Sequence, residues 1–145
     1  MSNRRPTDHL INFRFAIEIE GVTQGAFASC DGLEVDIDVI EFADGNSKNS
    51  GARKLPGRVH YRNIVLRRGH TATSDLWHWF KAVTDGAVER RSGSIIVLDA
   101  DQTEVMRYNF FEGWPCRWKS LELDAGQSGT LIEELEIAVE KIEHA

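Results

Sequence analysis

The chain has 145 residues, 41% hydrophobic and 28% charged, and a formal net charge of −6. That suits a single domain spanning 1–145 with a real core, and no apolar run approaches the ~20 residues of a membrane helix, so the monomer is not expected to insert into a bilayer. The negative charge opposes whole-surface attraction to nucleic acid or anionic lipid.

The first ten residues carry Arg4 and Arg5 with no apolar stretch behind them, which is not the pattern of a secretory signal. Cytoplasmic synthesis is the expectation. Period-2 alternation, the mark of half-buried strands, then dominates. Phe13, Phe15, Ile17 and Ile19 share one face, with Asn12, Arg14, Glu18 and Glu20 opposite, and Gly21 offers a turn. Residues 22–29 read as a short second strand. In the third, Leu33, Val35, Ile37 and Val39 alternate with Glu34, Asp36 and Asp38, giving one apolar and one acidic face.

Residues 43–57, ADGNSKNSGARKLPG, are polar and rich in Gly, Asn and Ser. A loop of that length is usually functional or disordered. It ends in Arg53, Lys54, Leu55, Pro56 and Gly57, where Leu55 is the one large apolar side chain and Pro56 restricts the backbone around it. Residues 58–68 read as a further strand. The segment 74–85 is helical: Ser74 is placed to cap it, Asp75 suits the dipole of its first turn, Leu76, Trp79, Phe80 and Val83 form one apolar face, and Gly86 stops it. Trp77 lies off that face and reads equally as partly buried under a neighbouring loop or as a subunit contact. Ile95, Ile96, Val97 and Leu98 form a continuous apolar run, typical of a strand buried on both sides. Residues 104–112 and 116–123 read as two strands around Gly113-Trp114-Pro115. The C-terminal segment fits a helix through Leu131, Leu135, Ala138 and Ile142, and equally a strand through Leu135, Ile137 and Val139; its composition favours the helix.

No constellation carries chemistry. His9, His60, His70, His78 and His144 form no zinc pattern, and neither a nucleophile elbow nor a phosphate-binding lysine motif occurs. Cys30 and Cys116 lack metal or redox spacing and read as reduced thiols. The Glu34, Asp36, Asp38 row lacks the glycine and closing glutamate of a calcium loop. No catalytic, cofactor or metal residue is expected. The basic segment 53–68, with Tyr61, admits a nucleic-acid-binding β-barrel as a competing class, but its aromatics do not recur along the strand.

Several blocks resemble the inner tube proteins of contractile injection systems and contractile phage tails. They are FRFAIEIEGV, FASCDGLEVDIDVIEFADG, RKLPGRVHYRNIVLRRG, DLWHWFKAV, RRSGSIIVLD, YNFFEGWPCRW and LEELEIAVE, and in order they cover roughly residues 11–142. The resemblance implies a mainly β fold of two packed antiparallel sheets, a β-sandwich or barrel, with one flanking helix and a C-terminal strand. It implies a structural subunit, not an enzyme, that closes into homohexameric rings stacked into a tube. Its partners would be a sheath protein, baseplate or hub proteins, a tube terminator and protein cargo in the lumen, and it would end in a tail-like particle. A tube-initiator or baseplate adaptor of the same fold is the nearest rival. On this reading Glu34, Asp36 and Asp38 face a water-filled lumen, or else a subunit contact against Arg53, Arg58 or Arg62. Arg53, Lys54, Leu55 and Pro56 are expected to bridge copies between rings, with Trp77 as a further contact.

Overall fold

The computed structural model describes residues 13–20, 23–43, 51–69, 74–122 and 131–145. Among these, the strands are β1 (Arg14–Ile19), β2 (Thr23–Phe27), β3 (Ser29–Asp31), β4 (Val35–Phe42), β5 (Arg53–Tyr61), β6 (Ile64–Gly69), β7 (Arg91–Leu98), β8 (Glu104–Glu122), β9 (Leu131–Ala138) and β10 (Lys141–His144). The helix α1 (Asp75–Thr84) lies between β6 and β7. Asn12, Gly21 and the centre of the polar loop, 44–50, lie outside the described residues.

Every strand pair is antiparallel, in the order β2-β1-β7-β8-β9-β6-β3, with β10 also on β8; β4 and β5 form a separate two-stranded sheet. Strand β8 serves two layers. Its first part pairs with β7 as far as Arg91↔Gly113, and its last part pairs with β9 from Trp114↔Ala138 onward. The change of layer falls where Glu112 takes a φ of 54° beside Gly113, a backbone excursion that re-aims the strand.

The alternation of β1 has the expected result. Ile17 and Ile19 are buried and meet Ile95 of β7 and Phe110 of β8, while the other layer contributes Ile64, Leu66, Leu135 and Ile137. Two inner faces that interdigitate in this way make the core of a sandwich. At Gly93 the missing side chain admits the Phe110 ring and the Glu18 carbonyl, both inside contact distance of any Cβ placed there. Ile95, Ile96 and Val97 are buried in succession, as the continuous run suggests.

Helix α1 buries Leu76 and Trp79, and Gly86, at a φ of 87°, ends it. Ser74 occupies the N-cap position but its hydroxyl caps no backbone N–H; it sits 3.3 Å from His78 Nδ1. Asp75 holds the helix start instead, accepting from Arg68 Nη2 at 2.6 Å.

Three expectations are corrected. Residues 58–68 are not one strand, because the ladder breaks at Arg62 and Asn63. Residues 104–122 are one strand and not two: beyond Gly113 β8 has a partner on one side only among the described residues, and a bulge follows Pro115, so the missing proline N–H is tolerated. The polar segment 43–57 is not loop throughout, since Arg53–Gly57 belongs to β5 and pairs with β4 as far as Phe42↔Arg53. The C-terminal segment is a strand despite its helical composition. Lying between β8 and β6, it fills both neighbours' ladders, and that pairing overrides propensity.

Candidate assembly surface

The β4–β5 hairpin is the overhanging end of a longer ribbon. The pairing offset is unchanged from Ser29↔Arg67 in the body through Val35↔Tyr61 to Ile37↔Val59. Across the gap, the Arg62 N–H donates to the Glu34 carbonyl at 3.0 Å. Gly32, at a φ of 89°, marks the exit; any Cβ there would collide with the Asn63 carbonyl. Only glycine allows both that φ and that approach.

Past this junction nothing in the described chain covers the hairpin. Val35, Ile37, Val39, Ile40, Phe42, Leu55 and Val59 are all between 46% and 63% exposed. Strand alternation and the register place Val35, Ile37 and Val39 on one face with Val59 and Pro56. The opposite face is polar near the body, at Asp36, Asp38 and His60, and apolar towards the tip, at Ile40, Phe42 and Leu55. The third strand's apolar face therefore meets solvent from Val35 to Val39, while Leu33 packs against the core. Completing the burial of one such half-exposed side chain is worth about 1 kcal/mol, so an uncovered row this long marks an interaction surface.

The acidic row is partly compensated within the chain. Arg62 Nε donates to Asp36 at 3.1 Å, and His60 Nε2 lies 2.9 Å from Asp38. Glu34 is exposed and makes no ion pair among the described residues. Arg53, Lys54 and Arg58 are likewise exposed and without an ion pair among the described residues, although Glu41 stands opposite Lys54 in the ladder. Leu55 and Pro56 sit between them on β5, both exposed.

On helix α1, Trp77 is 37% exposed and tilts against Trp118, ring centroids 4.7 Å apart, and against Phe80 at 5.9 Å. Below it lies a buried ionic cluster absent from the sequence reading. Arg68 bonds both Glu133 and Asp75, and Trp118 Nε1 donates to Glu133 at 2.8 Å. Burial alone would lower the Arg68 pKa, but the hydrogen bonds to Asp75 and Glu133 outweigh it and raise it. The sequence signal was available: Arg68 shares strand parity with Ile64 and Leu66, an inward-facing set.

Neither cysteine is poised for catalysis. Burial, then the Asp31 charge, pushes the Cys30 thiol up to about 12. Burial and the contact with Glu136 push Cys116 up to about 11. Both stay protonated near neutrality and are poor nucleophiles. Among the described residues no cluster of His, Cys, Asp or Glu suits a metal ion, and no helix is long and apolar enough to cross a membrane.

The family model described as T4-like virus tail tube protein gp19 matches residues 11–143. The chain belongs to that family. Its members are structural tube proteins, so this chain is a structural component and not an enzyme. The sequence matches no curated protein. Among solved structures, the fold is similar to a chain of an extracellular contractile injection system, the PVC sheath-tube complex in the extended state, at 24% identity and a TM-score of 0.78, covering 91% of this chain and 88% of that one. A chain of the PVC sheath/tube terminator is similar at 23% identity and a TM-score of 0.82, covering 97% and 99%. Hcp1 from Flavobacterium johnsoniae is similar at 18% identity and a TM-score of 0.59, covering 91% and 94%. The sheath-tube and terminator likenesses fit the two-layer fold expected from the sequence blocks.

Proposed function

We propose that this chain is the inner-tube subunit of a contractile injection system, closing into six-membered rings that stack around a lumen. The observation that carries the reading is the β4–β5 hairpin, whose two faces hold seven large apolar side chains about half exposed. A surface of that kind is stable when another chain covers it, and unpaired strand edges add a second drive to associate. A heterologous contact that closes by rotation gives a ring, and one that does not close gives a filament.

Within this reading, Arg53, Lys54, Leu55 and Pro56 bridge adjacent rings, and Trp77 is a further contact between copies. The face bearing Glu34, Asp36 and Asp38 lines the lumen, where water screens its charge. Sheath, baseplate or hub, and terminator proteins are the expected partners in the finished particle, and protein is the expected cargo. Light scattering tests the assembly. A ring has six times the 16.4 kDa mass of the chain. Leu55→Asp leaves rings that no longer extend; a variant that extends as readily as the parent removes the hairpin from the stacking contact.

A further inference from the structure

Three aspartates precede a glycine in the sequence: Asp31, Asp44 and Asp85. At such a step an aspartate carboxyl can react with its own chain, because glycine puts no side chain in the way of the attacking nitrogen. Asp31 stands apart on geometry. The Gly32 N–H donates to Asp31 Oδ1 at 2.8 Å, so the amide nitrogen already lies against the carboxyl group whose carbon it would attack. Asp31 ends β3 and is exposed to water. The Gly86 N–H instead donates to the Val83 carbonyl at 3.0 Å, which commits it to the end of α1 and not to the Asp85 carboxylate. Asp44 lies outside the described residues. We infer that Asp31 is a site of spontaneous isoaspartate formation, and that this modification unlocks the β4–β5 hairpin from the body.

The reaction needs only water and no partner chain. The Gly32 nitrogen bonds to Asp31 Cγ and loses its proton, the hydroxyl of the protonated carboxyl leaves, and one water is released as a five-membered succinimide closes. Water then adds to either carbonyl of the ring. Addition at Cγ restores aspartate. Addition at the main-chain carbonyl leaves the chain running through Cβ and Cγ, one carbon longer, with the carboxylate on Cα. Contact between nitrogen and carboxyl supplies the proximity that an unfolded chain has to find. The site has no room for the product. Gly32 approaches the Asn63 carbonyl too closely for any Cβ. Its own carbonyl accepts from the Glu34 N–H at 2.7 Å, and the Glu34 carbonyl accepts from the Arg62 N–H at 3.0 Å. These contacts carry the strand register from β3 into β4, and an extra backbone carbon displaces them.

Ageing the full chain at mildly acidic pH, which raises the protonated, reactive fraction of a carboxyl, tests the site. Isoaspartyl methyltransferase labelling reports the product. Electron-transfer fragmentation assigns it, and separates residue 31 from residue 44, which trypsin leaves on one peptide. In the folded protein Asp31 is expected to convert at least about fivefold faster than Asp85, and in urea the two rates should converge. Equal or slower conversion at Asp31 in the folded protein overturns the site. An excess that persists in urea belongs to the local sequence and overturns the role of the contact. Asp31→Glu keeps the charge but would have to close a six-membered ring, so it is expected to stop the reaction at this position. Hydrogen exchange at the Arg62 amide reads the consequence. Its protection should fall in the aged parent in step with isoaspartate at 31, and persist in Asp31→Glu aged alongside. Full protection of that amide in modified chains contradicts the unlocking.

Discussion

Arg68 Nε donates to Glu133 Oε2 at 3.0 Å, with the two side chains only 7% and 3% exposed. The same carboxylate accepts from Trp118, and the same guanidinium reaches Asp75 at the start of α1, so one cluster ties β6, β9, β8 and the helix together. Glu133→Ala strands a buried cation and an indole N–H. It is expected to lower stability by about 3 kcal/mol, the low end for breaking a buried pair because Asp75 remains. Urea unfolding of single rings or monomers, with an unchanged slope, measures it. The double variant Arg68→Met with Glu133→Leu should recover part of the loss, since a packed apolar pair replaces the buried charges while the Trp118 N–H still lacks the Glu133 acceptor.

The junction between body and hairpin depends on Gly32. Gly32→Ala places a methyl against the Asn63 carbonyl at a φ of 89°. The expected loss is about 3 kcal/mol, from overpacking and backbone strain together. Gly51→Ala, where nothing lies within 4 Å of the added Cβ, is the control and should change stability by less than about 0.5 kcal/mol.

Cys116 and Cys30 should resist thiol reagents in the folded protein. At pH 8 a pKa of about 11 in place of the ordinary 9.0 leaves Cys116 with far less thiolate, on the order of 100-fold less, and labelling slows in proportion. The sign for stability follows. A thiol whose pKa is raised on folding stabilises the native state fully below its unfolded value and loses that contribution as pH rises towards its folded value. For these two residues the loss begins near pH 9 and runs to about 11 for Cys116 and about 12 for Cys30. Cys116→Ser and Cys30→Ser should each flatten that alkaline decline in a thermal melt. An unchanged decline in both variants would contradict the assignment.

The body of the fold was legible because its signals are local. The alternation through Phe15, Ile17 and Ile19 fixes an inward face, and the Ile95–Leu98 run fixes a central strand. What was not legible depends on distant partners. Pro115 looks like a turn until β8 is seen to pair on one side only there among the described residues. Arg53–Gly57 reads as loop because β-propensity cannot see the β4 partner that orders it. Val35, Ile37 and Val39 read as one apolar face, and that alternation does not say whether anything within the chain covers it. The informative sign was Ile40 and Phe42, which share parity with Asp36 and Asp38 and make the hairpin apolar on both faces near its tip.

The central claim is that this family member builds tubes through its own surfaces. Electron microscopy of the purified, concentrated protein tests it most directly. The expected images are six-fold rings with an open lumen and hollow tubes of stacked rings, shortened or lost in Leu55→Asp. A particle that remains monomeric at every concentration and salt level, with neither rings nor tubes, would contradict the account.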